Sequence, residues 1–122
     1  MNSQMPWLKF WPTNFMMDTQ HLSFAQKGAH IDLICHAWRR LNIALPNDDD
    51  WIRRRLGVDD EQYRREVLPV LEEFWPVEGD DRVNQTLRDE YADALGRSQK
   101  GRSAANIRHH GENVHPLKRN EI

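Results

Sequence analysis

Apolar positions along the chain fall into blocks, and their spacing changes from one block to the next. The first, residues 7–15 (Trp-Leu-Lys-Phe-Trp-Pro-Thr-Asn-Phe), holds four aromatics in nine positions. Pro12 forbids a helix running through this block and lacks a ladder donor, so Trp7 to Trp11 reads as a short edge strand, buried on both faces apart from Lys9. A helix should start at Phe24, because Ser23 and Gln26 have the spacing of a capping box. At about 100° per residue, Phe24, Gly28, Ile31, Ile34, Cys35, Trp38 and Leu41 form a stripe roughly 140° wide. Ala29, Leu33 and Ala37 form a second stripe on the opposite side. Two apolar faces place this helix in the middle of a domain or against a partner. On the wider stripe Cys35 is expected to be a small core hydrophobe.

Residues 41–46 read as a short extended connector. Asn47, Asp48, Asp49 or Asp50 should cap a second helix, Trp51 to Leu56, which Gly57 ends as a left-handed C′ residue. Asp59 and Gln62 then open a third helix. Its Tyr63, Val67, Val70, Leu71 and Phe74 fall at i, i+4, i+7, i+8 and i+11, and Pro69 is expected to bend it. Residues 75–84 read as a hairpin turning at Gly79. A fourth helix begins near Thr86, with Leu87, Tyr91 and Leu95 on one side, and either frays at Gly96 or continues toward Ile107. Beyond Gly111 few apolar groups remain to offset ordering entropy, and disorder is expected.

This order predicts an α+β fold: a small winged helix-turn-helix domain of about four helices with a short two- or three-stranded sheet. The aromatic N-terminal strand is expected to join the hairpin as its third strand. Residues 1–96 form the winged-helix domain, and residues 97–122 a basic helical extension with a flexible tail.

A more specific likeness rests on several short motifs. They are Trp7-Leu8-Lys9-Phe10-Trp11-Pro12, Asp18-Thr19-x-His21-Leu22-Ser23, Gly28-Ala29-x3-Leu33 and Trp38. They continue with Leu45-Pro46-x-Asp48-Asp49, Leu56-Gly57-Val58, Pro69-Val70-Leu71-x2-Phe74 and a hairpin ending in Arg82. Over roughly residues 6–95 the chain resembles the YdaU-like phage and prophage proteins, a family named as a domain of unknown function. It departs from that family's common pattern at His30 and Gln26, where Tyr and an acidic residue are frequent. The resemblance implies a winged domain similar to the N-terminal domains of phage replication initiators. It therefore implies a phage-encoded accessory protein of DNA transactions, without any established chemistry.

Composition narrows the classes further. The chain has 122 residues and a formal net charge of -2, which conceals a split. Residues 1–96 carry 11 Lys/Arg against 17 Asp/Glu, whereas residues 97–122 carry 6 against 2. A basic end on an acidic body suits a tail that meets an anionic partner. No apolar run approaches the roughly 18 residues of a membrane span. The first residues lack the basic start and apolar stretch of a signal peptide, so a cytoplasmic protein is expected. The single cysteine excludes an internal disulfide framework.

Catalytic and metal chemistry find little support. Gly96-x4-Gly101-Arg102-Ser103 misses the phosphate-binding loop, because Arg replaces Lys and a helix rather than a strand precedes it. His30 and His36 diverge on a helix, His109 and His110 are adjacent, and His115 lies in the tail, so no metal centre is expected. The acidic pairs Glu72-Glu73 and Asp80-Asp81 have no partner group for acid/base work. The expectation is a protein that is not an enzyme and needs no cofactor.

Candidate binding residues are all basic. Arg53, Arg54, Arg55 and Arg65 lie where a helix-turn-helix meets DNA. Spacing at i, i+4 also pairs Asp49 with Arg53, Asp50 with Arg54, Asp60 with Arg64 and Glu61 with Arg65, and the hairpin tip is acidic. Arg97, Lys100, Arg102 and Arg108 have fewer acidic neighbours and suit phosphate contacts without base readout. The first functional expectation is therefore a nucleic-acid-associated protein of replication or transcription regulation. The alternative is a winged-helix protein-interaction module, an adaptor or inhibitor of a host or phage complex. A homodimer would form through the second face of the helix from Phe24, or through the C-terminal helix.

Overall fold

The computed structural model describes residues 7–107, with side chains described through Gly96. Arg108 and the tail expected beyond Gly111 lie outside the described residues. Five helices and one three-stranded antiparallel sheet make an α+β fold. In chain order they are α1 (Pro12–Thr19), α2 (Phe24–Trp38), β1 (Leu45–Pro46), α3 (Asp49–Leu56), α4 (residues 60–74), β2 (Val77–Glu78), β3 (Asp81–Arg82) and α5 (Gln85–Ile107).

The N-terminal block corrects the expected strand. Residues 7–11 form no strand, and Pro12 instead opens α1. Proline suits that place because its missing N–H is one the first turn leaves unpaired anyway. Trp11, extended at φ -112° and ψ 93° as residues before proline prefer, supplies the carbonyl that accepts from Phe15 N at 2.9 Å. Nor is the block buried on both faces, since Trp7 is 67% exposed. The third strand comes from the connector. β1 pairs with β3 through Leu45↔Arg82 and Pro46↔Asp81, and β3 pairs with β2 through Val77↔Arg82 and Glu78↔Asp81. The order β1-β3-β2 leaves Pro46 on an edge strand, where a missing donor costs least.

In α2 the narrow stripe, not the wide one, faces inward. Ala29, Leu33 and Ala37 are buried with His30 and Trp38, whereas Phe24 is 94% exposed, Leu41 is 97% exposed and Cys35 is exposed. Cys35 is thus a surface thiol rather than a core residue. Leu41 lies past the helix end at Trp38, where a helical period no longer applies. The small side chains of Ala29 and Ala37 let α2 settle among α3, α4, α5 and β1. Because Ala29, Leu33 and Ala37 fill this chain's own core, that face is not free to meet a second copy.

Side-chain caps set the helix starts. Ser23 and Gln26 form the full reciprocal box, Gln26 N donating to Ser23 Oγ at 3.1 Å and Ser23 N to Gln26 Oε1 at 2.9 Å. Asp48 Oδ1 accepts from Trp51 N at 3.1 Å, so Asp48 is the cap of α3 among the four candidates. Asp59 Oδ1 accepts from Gln62 N at 2.8 Å and Asn84 Oδ1 from Leu87 N at 2.9 Å. Gly57, at φ 70°, ends α3 in the left-handed conformation and its N–H bonds the carbonyls of Arg53 and Arg54.

Helix α4 absorbs Pro69 by widening. It runs as Asp60–Gln62 in α form, Tyr63–Val67 in π form, and Leu68–Phe74 in α form. Leu68 N–H reaches back to the Tyr63 carbonyl, five residues away, in the turn just before the proline. A wider turn relieves the clash of a proline ring with the preceding carbonyls. Val67, Val70 and Leu71 nevertheless stay in the core with Leu33, Leu45, Ile52 and Trp75. Trp75, expected in the hairpin, is fully buried just before it. The hairpin itself turns at Gly79, φ 64°.

Candidate nucleic-acid interface

The candidate arginines of α3 and α4 divide by what neutralises them. Arg54 pairs with Asp50 at 3.1 Å, Arg64 with Asp60 at 2.8 Å, and Arg65 with Glu61 at 3.4 Å and Glu66 at 3.3 Å. Arg53 does not take Asp49. It pairs with Asp50 at 3.1 Å, and its Nη1 donates to the Val58 carbonyl at 3.0 Å, which pins the turn after Gly57. Asp49 is engaged elsewhere, accepting the Tyr63 hydroxyl at 2.6 Å. The expected i, i+4 pairs thus form in three cases of four, and Arg53, Arg54 and Arg65 each carry a nearby counter-charge.

Arg55 is different. Its guanidinium stands over the Trp51 ring, 4.4 Å from the centroid, and that of Arg40 stands over the same ring at 5.1 Å. Among the described residues neither makes an ion pair. Arg40 Nε is buried without a hydrogen-bond partner. Arg40 follows the C-terminal end of α2, and Trp51 and Arg55 lie one turn apart on α3. The connector through Ile43 brings them together. Ile43 is buried at φ 50°, a left-handed conformation that a β-branched side chain rarely adopts. Sequence reasoning missed Arg40, although Trp51 and Arg55 at i, i+4 are a legible pair. Cation–π attraction to one indole positions both guanidiniums, and Arg55 is the exposed one of the two.

The hairpin carries the opposite sign. Glu78 is bridged to Arg88 at 3.1 Å, and Asp81 accepts from Asn42 at 3.1 Å. Arg82 turns inward, donating to the Trp75 carbonyl at 3.0 Å, and so ties the hairpin to the end of α4.

The C-terminal cations lie on α5, which continues without interruption past Gly96 to Ile107. Its backbone places Arg97, Lys100 and Arg102 in helix, and Arg108 lies outside the described residues. At about 100° per residue Arg97 and Lys100 stand roughly 60° apart around the axis, and Arg102 roughly 140° from Arg97. Among the described residues no group of three His, Cys, Asp or Glu is arranged to hold a metal ion. No described helix is long and apolar enough to cross a membrane.

A protein-family model described as "Protein of unknown function (DUF1376)" matches residues 6–92, more than two thirds of the chain. No curated protein and no solved structure matches.

Proposed function

We propose a function from one premise: the chain belongs to the family of proteins of unknown function DUF1376. In our reading it is a non-enzymatic, phage- or prophage-encoded accessory protein of replication or transcription regulation. It binds nucleic acid through a winged helix and a basic C-terminal helix. The observation that carries this reading is the pair Arg40 and Arg55 over Trp51, neither ion-paired among the described residues, with the Arg55 guanidinium on an exposed side chain. Phosphate oxygens satisfy such donors, and contacts of this kind position a protein on a backbone without reading bases. Arg97, Lys100, Arg102 and Arg108 add affinity in the same manner. The acidic hairpin argues that the wing stays clear of the phosphates. Fluorescence anisotropy with duplex and single-stranded DNA tests the proposal. Binding that weakens with salt, and weakens again in an Arg40→Gln/Arg55→Gln variant, is the expected result. No binding near 50 mM salt, where such contacts are strong, overturns it.

A second reading has its own observation. Trp7, Phe10, Met16 and Met17 are large apolar residues exposed on the N-terminal segment and α1. Exposed aromatics and methionines favour a docking surface for a host or phage protein, for which this domain is an adaptor or inhibitor.

A further inference from the structure

Between the N-terminal segment, α1, α2, the end of α4 and the start of α5 lies a cleft of about 390 Å³. Trp11, Phe15 and Phe74 form aromatic walls, and His30 lies at its base. His30 stacks on Phe74 with ring centroids 4.5 Å apart and on Phe15 at 5.9 Å. Its Nδ1 accepts from Trp75 Nε1 at 3.3 Å, so the neutral ring carries its proton on Nε2. Two carboxylates also line the cleft, Asp18 and Glu90. Glu90 Oε2 accepts from Trp11 Nε1 at 3.0 Å, while its Oε1 is buried and has no hydrogen-bond partner.

An unpaired carboxylate oxygen in an aromatic cleft is costly unless a donor reaches it. Trp11, bonded to the other oxygen of the same carboxylate, lines the cleft beside it. The rim already holds one cation, with Lys9 Nζ 5.2 Å from the centre of the Trp11 ring. Burial pushes the His30 pKa down to about 4, so the floor carries no positive charge at neutral pH. Two carboxylates against one lysine disfavour an anion, and aromatic faces attract a cation.

We propose that this cleft binds an organic cation: an amine or guanidinium borne on an apolar body of about amino-acid size. The charged N–H group meets Glu90 Oε1 and the field of Asp18, while the apolar body lies among the aromatic walls. This site is separate from the Trp51 arginines and does not depend on the nucleic-acid reading.

The test is an NMR titration of the full ¹⁵N-labelled chain, following the Trp11 indole N–H and the amides of Ile34 and Leu87. Three probes are compared: tyramine as a free amine, N-acetyl-arginine methylamide as a peptide-borne guanidinium, and 4-hydroxyphenylacetate as an anion of matching shape. Saturable shifts with at least one cation and none with the anion are expected, and which cation binds distinguishes a small ligand from a peptide source. Glu90→Gln keeps an acceptor for Trp11 and should weaken the cation at least tenfold. Asp18→Asn should weaken it less and serves where Glu90→Gln fails to fold. Glu66→Gln, outside the cleft, should change nothing. Equal shifts with the anion, no saturable shift with either cation, or unchanged affinity in both cleft variants overturns the proposal.

Discussion

Tyr63 donates its hydroxyl to Asp49 Oδ1 at 2.6 Å, tying the π turn of α4 to the first turn of α3. Burial and then the bond to Asp49 hold the Tyr63 pKa well above the ordinary tyrosine range, so the hydroxyl remains a donor throughout the neutral range. The bond joins the two helices on either side of the Gly57 turn.

Tyr63→Phe keeps the ring in the core and removes only this bond. Urea unfolding should report a loss of about 1.5–3 kcal/mol, the range for a hydrogen bond to a charged acceptor. An unchanged midpoint would show that Asp49 finds water equally well.

Acid should weaken the fold through His30. Desolvation lowers its pKa from 6.5 to about 4, although the charges of Asp18 and Glu73 pull the other way. The unfolded chain therefore takes up a proton near pH 6.5, and the folded chain only near 4. Stability from this group is complete above 6.5, falls as the pH drops from 6.5 toward 4, and is lost below. The difference corresponds to about 3 kcal/mol. Unfolding midpoints at several pH values should decline across this window, and His30→Gln should flatten the decline relative to the parent chain.

Much of this was legible beforehand, and the failures have physical causes. Ser23 with Gln26, Asp59 with Gln62, and Gly57 and Gly79 act locally, so their residue types alone place the helix starts and the two turns. The choice between the two stripes of α2 is not local. Ala29, Leu33 and Ala37 won because α2 has to fit closely among several elements, which a single-helix pattern does not encode. Pro12 excludes a helix running through it but fits a helix start, and the residue type alone does not say which applies. Arg40 joins Trp51 only through the left-handed turn at Ile43, a conformation the sequence does not advertise. The carboxylate pairs of Arg54, Arg64 and Arg65 were readable because i, i+4 neighbours meet on any helix.

Under the proposed nucleic-acid reading, the salt dependence of binding should distinguish the contributions. Four contacts from Arg97, Lys100, Arg102 and Arg108 give a slope of about -3.6 in log K against log salt on duplex DNA, and Arg40 and Arg55 raise it to about -5.4. Replacing the four C-terminal cations by Gln should leave a slope near -1.8. A slope unchanged by that replacement would place the phosphate contacts elsewhere.

Gly57→Ala keeps the side-chain helix caps but places a Cβ at φ 70°. Nothing lies within 4 Å of that added atom, so the cost is conformational, about 1–2 kcal/mol. A thermal melt should register it as a lower transition temperature with an unaltered circular dichroism spectrum.

Helix α5 begins in the core, where Leu87 and Ala94 are buried, and its 23 residues extend for about 34 Å. Its outer half is thus a crank keyed to the domain, with every basic position at a set azimuth. One alanine inserted after Gly96 would leave the net charge untouched while turning Arg97, Lys100 and Arg102 by about 100°. Orientation, and not merely the number of charges, is then something this protein can hold constant.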